Sequence, residues 1–190
     1  MNAIFSLGCG NEWKNKWLLP MSRFFFSGSN AAKLDDKNRF VLPQAMRYGL
    51  VENGELSFTV ALGLGGCLTI YRNSDIEKII EKFQSKQHIA KFQKFFTLFF
   101  STLHRTGCDK LGRVVIPGAL KKAAGITGDI VVAGVMNKIE IWPADRYEAD
   151  LADFIEGKEG LGSMIEDAFA LLGDEAPSKS DEVETLKSLI

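Results

Sequence analysis

Two five-residue intervals hold the groups best placed to do chemistry: Asp35-Asp36-Lys37-Asn38-Arg39 and Asp109-Lys110-Leu111-Gly112-Arg113. Each opens with a carboxylate, closes with a guanidinium, and runs straight into an apolar triplet and a proline, FVLP after Arg39 and VVIP after Arg113. Asn38 and Gly112 precede the arginines, and both residue types tolerate the positive φ of a tight turn. Guanidinium groups projected from such turns can contact phosphates or reach the O6/N7 edge of guanine, with Lys37, Asn38 and Lys110 beside them. A structural role competes with this one: each arginine pairs with the aspartate four residues earlier and fixes the turn. The two are compatible, because Asp35 and Asp109 would then brace the loops and aim the arginines at the same time.

Other chemistries fit the same residues poorly. Asp35 and Asp36 could be a metal or acid–base pair only if they converged, yet neighbours on an extended chain point to opposite faces, and the second copy has Lys110 in place of the second acid. Glycine is too sparse in either tip for a phosphate-cradling loop. Cys9, Cys67 and Cys108 lack any C-x-x-C spacing, and His88 and His104 stand in no ligand-like register. No nucleophile and base fall into an obvious pair. The expectation is a chain that is not an enzyme, with no cofactor, no metal and no small-molecule substrate.

Charge supports a polyanion partner only locally. Of the 190 residues, 23 are basic and 24 acidic, but Glu156–Ile190 holds nine acids and three bases, leaving a mildly basic body ahead of an acidic tail, 157–190. That tail carries one apolar patch, Met164, Ile165, Phe169, Leu171 and Leu172, with the spacing of a short helix. The apolar run in the first twenty residues is broken by Asn11, Glu12, Lys14, Asn15 and Lys16, so it reads neither as a secretory signal nor as a membrane span. Residues 1–25 are expected to be an extension, disordered or lying ahead of a true start at Met21.

The elements that must position the two tips repeat as well. Aligning Arg39 with Arg113 superposes Asp35 on Asp109, Pro43 on Pro117 and Met46 on Leu120; farther on, VALGLGGCLTIY meets VVAGVMNKIEIW, with Gly63 facing Gly134 and Tyr71 facing Trp142. The displacement falls by three residues between these blocks, as one changed loop would produce. Each unit reads as a short strand after the tip, a helical turn between Pro43 or Pro117 and Gly49 or Gly125, two strands joined by a glycine-bearing hairpin, and a closing helix. The first closing helix, Ser74–Phe83, has a Ser N-cap with Glu77 three residues on. The second runs from Ala144 to about Glu156, with Tyr147, Leu151, Phe154 and Ile155 at helical spacing. Between the units, residues 88–105 place Ile89, Phe92, Phe95, Phe96, Phe99, Phe100 and Leu103 on an unusually wide apolar face, suited to a core helix, a subunit interface or both.

In this order the motifs resemble the MraZ family of bacterial transcriptional regulators, whose mark is a duplicated D-x-x-x-R followed by an apolar run and proline. GVMNKIEIW and GGCLTIY are similar to further family patterns, and the resemblance covers about Phe26 to Glu156. It implies an α+β, β-rich fold, two pseudo-symmetric swapped-hairpin AbrB-like half-domains forming a β-barrel with flanking helices. The half-domains would span 26–87 and 106–156, joined by the aromatic helix 88–105. It further implies a cytoplasmic, nucleoid-associated ring oligomer that binds promoter direct repeats in double-stranded DNA upstream of the division and cell-wall gene cluster, without a membrane. Arg39 and Arg113 would be the principal DNA contacts, with Lys37, Asn38 and Lys110 beside them and Asp35 and Asp109 bracing the loops. The alternative is a protein-interaction or antitoxin-like module that uses the same barrel and the aromatic helix to hold a protein partner.

Overall fold

The computed structural model describes residues 24–156, so the N-terminal extension to residue 23 and the acidic tail with its apolar patch lie outside the described residues. Among the described residues, nine strands and five helices follow one another as two similar sets. The first comprises β1 (Ser29–Lys33), β2 (Arg39–Val41), α1 (Gln44–Gly49), β3 (Val51–Glu52), β4 (Glu55–Leu62), β5 (Leu68–Arg72) and α2 (Asn73–Gln84). Helix α3 (Gln93–Ser101) intervenes, and the second set is β6 (His104–Gly107), β7 (Arg113–Val115), α4 (Gly118–Ala123), β8 (Asp129–Val135), β9 (Lys138–Pro143) and α5 (Ala144–Glu156). The fold is α+β and strand-rich, as expected. From Asp145 onward the chain forms a second compact unit, whose described part is α5.

The two sets interleave. β1 pairs with β8, β2 with β7, β6 with β4 and β5 with β9, all antiparallel, so every one of these ladders joins one half to the other. Hairpins β4–β5 and β8–β9 complete a sheet of order β1-β8-β9-β5-β4-β3, with β6 also on β4, while β2 and β7 make a separate two-stranded ribbon. A single core of Phe26, Phe40, Leu42, Phe58, Ile70, Val114, Ile116, Ile141 and their neighbours lies under both. Alternation along β2 and β7 sends Phe40 and Val114 into this core, which pins the ribbon to the body.

Several expectations need correction. The strands do not close into a hydrogen-bonded barrel among the described residues. The N–H groups of Asp35, Lys37, Asn38 and Arg39, which would carry the ladder from β1 into β2, are taken up inside the tip itself. The three-residue drift is divided between two loops. Register makes Phe58↔Arg72 the counterpart of Ile130↔Pro143, and Leu62↔Leu68 that of Gly134↔Ile139, so Gly134 corresponds to Leu62 rather than Gly63. Two of the extra residues therefore lie between α1 and β4 and one in the β4–β5 turn. The Ser74 cap does not form either: Arg72 is the N-cap of α2, and the Ser74 N–H donates to Glu52 Oε2 at 3.1 Å across from β3. The aromatic stretch is helical only over Gln93–Ser101 after a short 3-10 turn at Ala90–Phe92, and His104 is already in β6.

Candidate nucleic-acid interface

Both tips are the same object. In the first, the Asn38 N–H donates to the Asp35 carbonyl at 2.9 Å, the Asp35 N–H donates to the Arg39 carbonyl at 2.9 Å, and Asn38 sits at φ 56°. Oδ1 of Asp35 accepts the N–H groups of Lys37 and Arg39, each at 2.9 Å, while Oδ2 accepts Arg39 Nε at 2.8 Å and Nη2 at 2.6 Å. In the second, Gly112 takes the same turn position at φ 76°, Asp109 Oδ1 accepts from Leu111 and Arg113 at 2.9 Å each, and Oδ2 accepts Arg113 Nε at 2.7 Å. Asp35 and Asp109 thus accept the same backbone and guanidinium bonds, each within its own tip.

This wiring has an electrostatic signature. The Arg39 side-chain bond, then its backbone N–H, holds the Asp35 carboxyl down to about 2. The backbone and side-chain bonds of Arg113 lower Asp109 as well. Arg39 is raised, first by its bond to Asp35 and in smaller part by the charge of Asp109, which places the two tips within electrostatic reach of one another. The arginines are neither interred nor fully free: 24% of the Arg39 side chain and 31% of the Arg113 side chain face solvent.

The ribbon decides where they face. Its register is Arg39↔Val115, Phe40↔Val114 and Val41↔Arg113. With Phe40 and Val114 turned inward, a period of two puts Arg39, Val41, Arg113 and Val115 together on the outer face. Val41 and Val115 are exposed there, so two guanidiniums, one from each half, flank an apolar strip. Lys37 and Lys110 stand exposed on the tips beside them, and Asp36 leaves the first tip less positive than the second.

Two further cations complete the patch and were not singled out from sequence. Lys121 on α4 donates from Nζ to Asn38 Oδ1 at 2.8 Å, so the second half holds the first tip. Arg47 on α1 lies directly over Gly112, its guanidinium where a Cβ there would reach. The first half thus covers the second tip, where the φ of 76° at Gly112 favours glycine. The displacement of seventy-four residues that relates the tips also relates Arg47 to Lys121, and that correspondence was the available signal.

Among the described residues no group of three or more His, Cys, Asp and Glu side chains is arranged to hold a metal. Cys67 is buried and Cys108 half-buried, and burial pushes both thiols up, Cys108 to about 11, so neither is a ready thiolate. No helix among the described residues is long and apolar enough to cross a membrane.

Comparison with known proteins matches the duplicated architecture. The family model for the MraZ protein, described as antitoxin-like, matches residues 25–99 and again 99–159. The chain is also similar to the transcriptional regulator MraZ of Lachnoclostridium phytofermentans, 34% identical over 128 residues, which covers 67% of this chain and 88% of that protein.

Proposed function

The chain belongs to the MraZ family, and on that premise we propose that it is a sequence-specific DNA-binding transcriptional regulator. In this reading a ring-shaped oligomer binds promoter direct repeats upstream of the division and cell-wall gene cluster, in the cytoplasm and on the nucleoid. The half-domains 26–87 and 106–156 each deliver one tip. One observation carries the reading: Arg39 and Arg113 lie on the same outward face of an antiparallel ribbon. A two-stranded ribbon is of a width that the major groove admits, arginine is the side chain that pairs bidentately with guanine, and an apolar strip suits the thymine methyl. Lys37, Asn38 and Lys110 take the phosphates, which set register and orientation. Asp35 and Asp109 hold each guanidinium by its Nε side, so less rotamer freedom is lost on binding. A ring repeats the ribbon, and several weak contacts on spaced repeats add through effective concentration.

Titration of a labelled duplex carrying those direct repeats, read by fluorescence anisotropy, tests this. Arg39→Ala with Arg113→Ala, in a chain that keeps its circular dichroism, should abolish the preference for repeat DNA over scrambled DNA. Unchanged affinity and preference would end the proposal. The antitoxin-like description of the family and the exposed Phe92, Phe95 and Leu98 favour a second reading, a module that holds a protein partner. Light scattering separates the two, because a stable one-to-one complex with a protein and indifference to duplex belong only to the second.

A further inference from the structure

The pairing of β2 with β7 is two-fold symmetric about Phe40↔Val114, because Arg39↔Val115 on one side answers Val41↔Arg113 on the other. A half-turn about that centre exchanges the two guanidiniums and the two exposed valines, so this face alone offers the same groups to DNA running in either direction. A two-fold reader suits a palindrome, whereas direct repeats have a direction. Whatever breaks the symmetry has to lie off the strands, at the tips.

The tips share a conformation and differ in chemistry. Lys37 and Leu111 hold the same place, since the N–H of each donates to Oδ1 of its own aspartate at 2.9 Å. Asp36 stands before the one and Lys110 before the other. The first tip, D-D-K-N-R, has two acids and two bases and is neutral, while the second, D-K-L-G-R, has one acid and two bases and is +1. The covering cations differ too. Lys121 is bonded to Asn38 Oδ1 at 2.8 Å, whereas Gly112 has no side chain to hold Arg47, and Arg47 Nε has no hydrogen-bond partner among the described residues. Positive charge therefore gathers on the second tip, and in its midst Leu111 is 67% exposed. The fold does not ask for a leucine there, because the first tip makes the same turn around a lysine and Leu111 is no part of the core under the ribbon.

We infer that the two tips read unlike steps of one repeat: Leu111 packs on the methyl group of a thymine beside the guanine that Arg113 takes, while Lys37, in the same place on the first tip, takes a phosphate beside the guanine of Arg39. Thymine is the base with an apolar group on its major-groove edge, and apolar side chains are what meet it there. An ammonium in that place meets the backbone instead and carries no sequence information. The ribbon then fits each repeat in one orientation, as an array of direct repeats requires. The inference rests on the proposed reading of repeat DNA by Arg39 and Arg113, and adds to it a specificity-determining residue and a direction.

Fluorescence anisotropy on the full chain tests it with duplexes in which the thymines of one repeat and its flanks are replaced, one at a time, by deoxyuridine, which removes the methyl and leaves the pairing. One replacement should weaken wild type about fourfold, the effect of one buried methyl group. The same replacement should have no effect on Leu111→Ala, or on Leu111→Lys, which copies the first tip's residue in the same turn; thymines that meet Val41 or Val115 should stay sensitive in both variants. If no replacement weakens wild type, or each one weakens the variants equally, the inference is overturned while a preference for repeat over scrambled DNA keeps the reading of the arginines. Loss of that preference in wild type would remove the reading itself. Lys110→Asp with Leu111→Lys makes the tips alike, and should bind a direct and an inverted pair of repeats about equally; a preference for the direct pair as large as that of wild type overturns the claim of direction. Light scattering closes the remaining route, because a Leu111→Ala chain of lower mass than wild type would place Leu111 in a contact between chains and overturn the inference as well.

Discussion

Arg39 and Phe40 are adjacent on a three-residue strand and should have opposite phenotypes, because alternation turns one to solvent and buries the other. Phe40 and Val114, neighbours across the ribbon, are the plugs that fasten β2 and β7 to the core. Truncating a fully buried Phe to Ala removes its transfer free energy and leaves a cavity, at a cost of about 3–5 kcal/mol. Small domains have only about 5–15 kcal/mol in total, so Phe40→Ala should be folded but marginal. For a body of this size each kcal/mol lost lowers Tm by roughly 3–5 °C, so calorimetry should show a drop of roughly 10–20 °C. Arg39→Ala, one residue away, should melt within about 2 °C of wild type. Its penalty should appear in anisotropy as roughly a 5- to 150-fold loss on repeat DNA, the range of one good arginine–guanine pair. Phe40→Leu, which keeps an apolar plug, should retain both folding and binding and so show that the first variant fails through the core. If Phe40→Ala lowers Tm by less than about 3 °C, or if Arg39→Ala lowers it as much as Phe40→Ala, the ribbon is not held as described and the outward face loses its basis.

Two more perturbations separate the parts of the patch. Lys110→Ala should weaken binding to repeat and scrambled DNA alike and reduce the slope of log K against log salt by about 0.9, since a phosphate contact releases counterion without reading sequence; a change in sequence preference instead would assign Lys110 to the bases. Arg39 holds the folded-state carboxyl of Asp35 at about 2, below its ordinary 3.8. A depressed acid contributes stability that is complete above its unfolded pKa and is lost as pH falls through the folded one, here from about 3.8 towards about 2. Urea midpoints of wild type and Asp35→Asn should therefore differ at pH 7 and converge by about pH 2, and a constant gap would show that the loop is fixed by something other than this charge.

Much of the site was legible because it is local. The offset of four residues from Asp35 to Arg39 and from Asp109 to Arg113, the Asn or Gly before each arginine and the proline that ends each strand are properties of short chain segments, and both tips fold from them alike. Strands β4 and β8 likewise follow from patterns a few residues long. What could not be read locally is which half each piece serves. Arg47 belongs to the helix after the first tip yet lies over the second, and Lys121 does the reverse, because β2 pairs with β7 and carries each tip under the other half's helix. The open ladder has the same origin: a loop that satisfies its own N–H groups cannot also extend the strand it interrupts. Interleaving of this kind has a functional consequence that two independent lobes would not share. With Lys121 bonded to Asn38 and Arg47 packed on Gly112, the position of either arginine depends on both halves, so the spacing between the two guanidiniums is a property of the whole body. If the arginines read DNA as proposed, that spacing has to be rigid, and the interleaved pairing holds it without enlarging either tip.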